Sequence, residues 1–337
     1  MIQKAIQLGP IHPWLPGMMK LNVNLEGDRI VSANTEFGFS NRGIIQRILN
    51  EPYQVGQIYF SRIDPEEAFI NDRIFAELIE QATDIRITSR AVWIRDIAVE
   101  MSEVVGVLKY LASMADQFGL SMLSHLLRKH REELLDLIER LSGSRYGYFY
   151  IMPGGTRYDI TDGFLERVEM WSRQFIADDP RIQALFCWTH AFQNRLDQLG
   201  LMLDDGEFGF ISEARVENSS LGWNSSVGSR LRYAMEESLQ LAESIRALSH
   251  KMEGGAFLEK MPTSAVQKKV SLKFDTLRGP WEVSLELSQN LHIKSIEVAT
   301  PSDQIREAIP LILEDESFDD IPLILFSANL SVAEVDR

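Results

Sequence analysis

Two carboxylates three residues apart are the first chemistry the sequence offers. Asp64 and Glu67, in the stretch YFSRIDPEEAFIN from Tyr59 to Asn71, have a spacing that could bind a hard cation. The same stretch reads as a helix start, which needs no metal. Asp64 then serves as N-cap, Pro65 has no amide to lose in the first turn, and Glu66 and Glu67 sit by the helix's partial positive charge. His125 and His130 lie among Arg128, Lys129 and Arg131, but they are five apart, poor spacing for two ligands on one helical face. A solvated basic patch suited to a partner surface is the expectation there. Pro153-Gly154-Gly155 is not followed by the Gly-Lys-Ser/Thr of a phosphate loop, and is expected to make a tight turn where backbone passes close to another chain. The single cysteine, Cys187, excludes an internal disulfide, and one thiol cannot hold an iron-sulfur cluster or a four-cysteine zinc site. Between Phe186 and Trp188 it reads as a core thiol in a reducing compartment, and Trp93, Trp171 and Trp188 fit helix packing.

The elements that must position these residues follow from periodicity. Residues 20–37 alternate around a Glu26-Gly27-Asp28 turn, with Leu21, Val23 and Leu25 on one side and Ile30 and Val31 on the other, the pattern of a β-hairpin. Apolar residues three or four apart predict a helix from Asp64 through Ile79, and long helices over 91–117 and 121–141. Further helices are expected over 164–176, 181–199 and 229–252. After Gly254-Gly255 the period changes to that of strands, over 270–274, 281–287 and 291–298. A short helix over 303–312 and an apolar tail, Ile321 to Phe326, follow. This is an α+β chain, mainly α. A β-hairpin region (1–40) precedes a helical bundle (41–253), and a β-rich region (254–337) closes it.

Composition bounds the function. With 337 residues, 45% apolar and 25% charged, the chain is globular and can bury a substantial core. A net charge of −15 argues against nucleic acid and against direct docking on anionic lipid, both of which need a basic face. No apolar run approaches the roughly 20 residues that span a bilayer, and no charged leader precedes an apolar signal core. The expectation is a soluble or peripheral chain, held at any membrane by other subunits.

A family resemblance becomes visible in YFSRID. It resembles the YFDRLDY segment of the large quinone-site subunit of respiratory complex I, the D or 49 kDa subunit of NADH-quinone oxidoreductase, whose relatives are the nickel-iron hydrogenase large subunits. Other matches follow in register. Gly9-Pro10-Ile11-His12-Pro13 is similar to GPxHP, and Asn41-Arg42-Gly43 falls at HRG. Arg90 to Arg95 resembles RAQWIR, Glu139 to Arg145 resembles ERVSGAR, and Tyr150 to Gly155 resembles YxRPGG. Glu334-Val335-Asp336-Arg337 resembles the family's closing EVDR. Residues 9–155 lie on the pattern without a gap, whereas about 156–330 matches poorly and looks shortened.

The departures from the pattern carry as much meaning as the matches. In the complex I subunit a histidine and a tyrosine each donate a hydrogen bond to the quinone headgroup. Those positions hold Pro16 and Pro65 here, and proline has neither a side-chain donor nor a backbone N–H. The family aspartate paired with the histidine falls at Gln117, with Asp116 adjacent, and the histidine beside the terminal iron-sulfur cluster falls at Gly147. Hydrogenases carry metal-binding CxxC pairs at the YFDRLDY position and at the C-terminus. Here the first pair corresponds to Asp64 and Glu67, and no cysteine stands near either end. Arg42 and Arg62 occupy the positions of two family arginines that lie against the cluster, a contact that would raise its affinity for an electron. An ordinary ion pair, such as Arg62 with Asp64 or Arg42 with a helix C-terminus, is the alternative. His12 could donate in the old pocket or satisfy a loop carbonyl.

The resemblance therefore implies a hydrogenase large-subunit-like fold in a membrane-associated oxidoreductase or ion-translocating complex, with the quinone site remodelled or lost. Implied partners are a B-like iron-sulfur small subunit carrying a [4Fe-4S] cluster, a C-like protein and antiporter-like membrane subunits, on the cytoplasmic face of the inner membrane. The chain would bind no cofactor alone, and no Gly-rich strand-turn-helix fingerprint for NAD is present. One alternative is a member of the family that still reduces quinone, with His12, Asp116 or a tyrosine such as Tyr59 supplying the donors. Another is a free-standing scaffold.

Overall fold

The computed structural model describes residues 2–10, 17–186, 189–200, 226–251 and 253–337. His12, Pro16, Cys187 and Trp188 lie outside the described residues. The chain opens with an antiparallel sheet of β1 (Ile2–Leu8), β2 (Met19–Glu26) and β3 (Arg29–Glu36), in the order β1-β2-β3. The turn at Gly27, with φ of 66°, closes the expected hairpin, and Leu21, Val23, Leu25 and Ile30 point into the core. β1, which the alternation does not announce, adds to the outer edge with Ile2 opposite Leu25 and Leu8 opposite Met19. Its residues are mostly exposed, so no apolar alternation marks it.

Helices α1 (Ile44–Ile48) and α2 (Tyr53–Phe60) lead to α3 (Ala68–Thr83), α4 (Ser89–Gln117) and α5 (Ser121–Ser142). Thr88 caps α4 by accepting from the Ala91 N–H at 3.1 Å, and Gly143 ends α5 in the left-handed region. α4 is apolar on nearly every side and packs against α3, α5 and α8 (Val227–Ser249), which makes it the axis of the bundle. α3 begins at Ala68, four residues beyond Asp64, and has no side-chain cap. Asp64 instead closes the preceding turn by accepting from the Glu66 N–H at 2.9 Å.

The short hairpin β4 (Ile151–Met152) and β5 (Gly155–Thr156) is the tight turn expected at Pro153-Gly154-Gly155. The backbone passing close to it belongs to this same chain. Thr156 N–H donates to Phe257 at 2.9 Å, Glu259 N–H donates to Gly154 at 2.8 Å, and a Cβ on Gly155 would stand 2.1 Å from the Phe257 carbonyl. α6 (Phe164–Leu185) does not stop at Ile176 but runs through Pro180, because Ile182 and Phe186 continue the buried stripe of Phe164, Val168, Trp171 and Phe175. The helix expected over 181–199 is thus the end of α6 and a separate α7 (His190–Leu196). His130 also departs from expectation. It is fully buried, its ring nitrogen 3.0 Å from Asp178 on α6, while His125 remains exposed. Burial lowers the His130 pKa against the pull of Asp178 and Glu133.

A second antiparallel sheet, β6 (Lys269–Thr276), β7 (Gly279–Leu287) and β8 (Ile293–Ala299), packs on α3. α9 (Pro301–Leu313) follows, with Thr300 N–H donating to Asp303 at 2.9 Å in a capping box. The apolar tail is helical, as α10 (Ile321–Ser327) and α11 (Val332–Val335). Leu25, Phe75, Val104 and Trp281 share one continuous core with the remaining buried side chains. Among the described residues no helix is long and apolar enough to cross a membrane.

Candidate functional site

Asp64 and Glu67 neither cap a helix nor face each other across an open space. Both turn to Arg278, one of the two residues in the tight turn between β6 and β7. Glu67 accepts from Nε and Nη2 of Arg278 at 2.8 Å each, and Asp64 accepts from Nη2 at 3.4 Å. Glu334 of α11 completes the set through both of its carboxylate oxygens. Ser302 ties Glu334 in place, its N–H donating to the carboxylate at 3.3 Å, while its hydroxyl accepts from the Ser331 N–H at 3.0 Å. The turn carrying Arg278 is itself fixed, since Thr276 Oγ1 donates to the Gly279 carbonyl at 2.8 Å and Leu277 N–H donates to Glu103 at 3.2 Å.

Oxygens of Asp64, Glu67 and Glu334 lie within 4.8 Å of one another, close enough to share a cation. The guanidinium already supplies one. It also leaves the charge unbalanced, with three carboxylates sharing one arginine in a buried place. Burial raises the pKa of Glu334 to about 7, against the opposing pull of Arg278, and raises that of Glu67 in the same sense. Burial alone would lower Arg278, but Glu334 and Glu67 hold it well above its ordinary value. Burial and the crowding of three acids thus favour protonation within the cluster.

Asp64, Glu67 and Arg278 form one wall of a partly enclosed cavity of about 230 Å³. The other walls come from α4 (Glu103 to Ser113), α8 (Tyr233, Ala234, Glu237) and the C-terminal segment (Leu325 to Ala333). Lys109 on this wall is paired with Glu66. Pro65 also lines the cavity, and its carbonyl accepts from the Tyr148 hydroxyl at 2.6 Å. Gln117 sits at the C-terminal end of α4 outside the lining, with its side-chain N–H group buried and unpartnered, and Asp116 is taken by Arg128 at 2.6 Å.

The residues expected to face a partner's cluster do come together, around the loop that carries Asp64. Arg42 spends its donors on three carbonyls, those of Arg62, Ile63 and Ala333, and so staples the loop to α11. Arg62 forms no ion pair with Asp64. It is exposed, donates to Ile58 at 2.5 Å, and lies over the rings of Tyr148 and Phe149 at 5.2 and 5.0 Å. Gly147, beside those rings in sequence, has φ of 79°, and a Cβ there would stand 2.3 Å from the Phe69 ring. Packing alone keeps a side chain out of that position.

Beneath this face lies a carboxyl that sequence reasoning missed. Asp72 is fully buried, accepts from the Phe149 N–H at 2.7 Å, and is pushed up to about 8 by burial. Arg278 was missed for a different reason. It lies 211 residues from Glu67, in a turn with no motif around it. The closing Glu334, Asp336 and Arg337 are the part that a pattern could find, and each is engaged. Glu334 binds Arg278, Asp336 accepts from the Gly38 and Ser40 amides at 2.7 and 2.8 Å, and Arg337 pairs with Asp303 at 2.8 Å.

The chain is similar to several known proteins. The family described as "Respiratory-chain NADH dehydrogenase, 49 Kd subunit" matches residues 117–208. The 49 kDa subunit of mitochondrial NADH-ubiquinone oxidoreductase from Neurospora crassa is 32% identical over 171 residues, 51% of this chain and 36% of that protein. The D subunit of F(420)H(2) dehydrogenase from Methanosarcina mazei is 33% identical over 165 residues, 49% of this chain and 44% of that one. The D subunit of NADH-quinone oxidoreductase from Rickettsia canadensis is 27% identical over 222 residues, 65% of this chain and 56% of that one. The matched stretches thus span between about a third and just over half of these relatives. A chain in the structure of the membrane-bound sulfane sulfur reductase, an archaeal respiratory membrane complex, superposes with a TM-score of 0.88 over 99% of this chain and 98% of that one, at 19% identity. The fold, a mainly helical chain with small antiparallel sheets at its ends, is shared with that chain. The sequence is similar to those of the 49 kDa and D subunits over about half to two thirds of this chain.

Proposed function

We propose that this chain is the large subunit of a membrane-associated respiratory or energy-converting complex, seated on a small subunit that carries an iron-sulfur cluster, with its former reaction centre rebuilt around Arg278. The Arg278 cluster is the observation that carries the reading. In the resembling hydrogenases metal-binding cysteines stand where Asp64 and Glu67 stand, and a second pair belongs to the C-terminal segment that here supplies Glu334. A guanidinium held by three carboxylates puts a cationic group among the acids at that place without a metal. The two headgroup-donor positions of the resembling family hold proline in this sequence, Pro16 and Pro65, and Pro65 lines the cavity. Quinone reduction as in complex I is therefore not its chemistry, and the subunit shapes a different acceptor site or couples the redox arm to the membrane arm.

On this reading Arg62, exposed and seated on two aromatic rings, is the group that faces the partner's cluster, while Arg42 positions the loop beneath it. The partners are a B-like iron-sulfur protein, a C-like protein and antiporter-like membrane subunits, with the chain peripheral on the cytoplasmic face. A second reading, a quinone reductase with a substitute donor, has one observation behind it. The Tyr148 hydroxyl lies at the Pro65 carbonyl, beside the position of the missing tyrosine.

Tagging the chain in its host, solubilising the membranes gently and measuring what co-purifies, together with iron content, tests the proposal. Recovery with an iron-sulfur small subunit and antiporter-like proteins is expected. Recovery alone and without iron overturns it. Binding of a quinone analogue that is lost in Tyr148→Phe would favour the second reading.

A further inference from the structure

We propose that the outer edge of β1 takes an extended strand from a partner protein, one whose apolar residues alternate and whose C-terminal end carries lysine or arginine. The inference goes beyond the reading of the Arg278 cavity and does not depend on it. β1 is the edge strand of the first sheet. It pairs with β2 on one side, and among the described residues no backbone group bonds to it on the other. The opposite edge of that sheet is closed, since the Ile30 N–H donates to the Glu316 carbonyl at 2.9 Å and the Ile30 carbonyl accepts from the Asp315 N–H at 2.8 Å. β8, an edge strand of the second sheet, is tied likewise. The Ile293 carbonyl accepts from the Asn50 N–H at 2.7 Å, and the Ile293 N–H donates to the Glu51 carbonyl at 2.9 Å.

An open strand edge is a row of donors and acceptors that another strand satisfies, and β1 lacks the devices that blunt such an edge. Ile2 to Leu8 contains no proline, and all seven residues pair with β2 in unbroken register. The one charge on the strand, Lys4, is drawn aside, its Nζ lying 4.0 Å from the centre of the Phe318 ring. Side chains say what the added strand must carry. Ile2, Ile6 and Leu8 stand opposite Leu25, Leu21 and Met19, whose side chains are buried. Ile2 is nonetheless 59% exposed, and Ile6 and Leu8 are half-buried. A further strand covers this row with every second side chain, so its apolar residues alternate.

Charge sets the rest. The Ile2 end of β1 lies by the turn between β2 and β3 and by residues 314–320, which are joined where the Phe318 N–H donates to the Asp28 carbonyl at 2.8 Å. Glu26, Asp28, Glu314 and Asp319 are exposed there and form no ion pair among the described residues, while Asp315 and Asp320 already hold Arg29 and Arg195. Both existing pairs of the sheet are antiparallel, and a strand added in the same sense has its C-terminal end at Ile2. Lysine or arginine is attracted at that end and an acidic residue repelled.

Three peptides serve as probes: Thr-Val-Thr-Val-Thr-Val followed by Lys-Lys, the same strand followed by Glu-Glu, and the lysine peptide with every strand amide N-methylated. Each is added to the purified full chain, as wild type and as a Glu314→Lys, Asp319→Lys double variant whose thermal midpoint shows that it is folded. Affinity is measured together with hydrogen exchange of the β1 amides. The lysine peptide is expected to slow exchange in β1 at least about fivefold at saturation and to bind at least about tenfold more tightly than the glutamate peptide. The methylated peptide is expected to give no protection, and the preference for lysine is expected to vanish in the double variant. Equal protection by the methylated peptide, or a lysine peptide that leaves β1 exchange unchanged, overturns strand addition. Equal binding of the lysine and glutamate peptides to the wild type, or an undiminished preference in the folded double variant, overturns the selection for a basic partner.

Discussion

Arg95 and Arg278 are both sunk in the interior among carboxylates, and the contrast between them separates a residue that holds the fold from one that holds a site. Arg95, on α4, meets a single acid, Glu80, through two donors at 3.0 and 2.5 Å, and donates also to the carbonyls of Gly155 and Met152. Glu80 in turn accepts from the Gly154 N–H at 2.8 Å. One charge meets one charge, the backbone partners all belong to the β4–β5 turn, and neither Arg95 nor Glu80 lines the cavity. Arg278 meets three acids drawn from segments far apart in sequence, and its cluster opens on the cavity. A balanced, enclosed pair fixes a turn. An acid-rich cluster on a cavity wall leaves charge unbalanced, which is more than a fold requires.

The largest test of that contrast is to remove each arginine. Arg278→Met and Arg95→Met should each cost about 3–5 kcal/mol of unfolding free energy, because each strands buried carboxylate. They should differ in pH dependence. Three stranded acids can take up protons after loss of Arg278 and only one after loss of Arg95, so the Arg278 penalty should shrink more steeply on acidification in urea unfolding. Parallel slopes would mean that the three acids do not act together.

Removing an acid from each set sharpens the comparison further. The folded pKa of Glu334 is raised to about 7 from an ordinary 4.5, so the folded state binds the proton more tightly and the stabilisation is fully present below 4.5. It is lost as pH rises through 7, a change of about 3 kcal/mol. Glu334→Gln should flatten the stability profile across that window and leave stability at mildly alkaline pH near that of the wild type, since Asp64 and Glu67 still serve Arg278. Glu80→Gln should destabilise at neutral and mildly alkaline pH, because Glu80 is the one acid that Arg95 meets. Equal losses in the two variants would erase the distinction.

What could be read from the sequence follows the same division. α4 and α5 were visible because their apolar stripes run for many turns, and the first hairpin because its inward residues alternate around Gly27. The terminal EVDR motif was legible only as a resemblance, and in the structure Glu334, Asp336 and Arg337 are each tied to other parts of the chain. Arg278 was not readable, since nothing local distinguishes a turn arginine that will meet acids 211 residues upstream. His130 misled because its sequence neighbours are basic, whereas its burial is decided by Phe175, whose ring lies 5.2 Å away on another helix. Gly147 looked like a histidine lost, and is a position where Phe69 leaves no space for one.

Gly147 therefore supplies a smaller, purely steric test. Gly147→Ala places a Cβ against the Phe69 ring at a left-handed φ, and should cost about 2 kcal/mol by overpacking and backbone strain. Phe69→Ala in the same chain should recover part of that cost, leaving the backbone share. No loss at all in Gly147→Ala would return the position to chemistry and away from packing.

Arg62 is the smallest expected effect on stability and the most pointed one for function. Unlike Arg95 and Arg278 it forms no ion pair among the described residues, and it is exposed over Tyr148 and Phe149. Its replacement should change unfolding free energy by less than about 1 kcal/mol, the worth of an exposed cation–π contact. If it is retained for a partner, Arg62→Gln should still weaken co-purification of an iron-bearing small subunit, or lower the reduction potential of its cluster, with the fold intact. Arg42→Gln provides the internal control. Arg42 gives its donors to three carbonyls within the chain, so its loss should destabilise the loop and α11 first, and any effect on assembly should follow from that. A variant at 62 that assembles and titrates like the wild type would leave the outward arginine as surface and the Arg278 cavity as the candidate site.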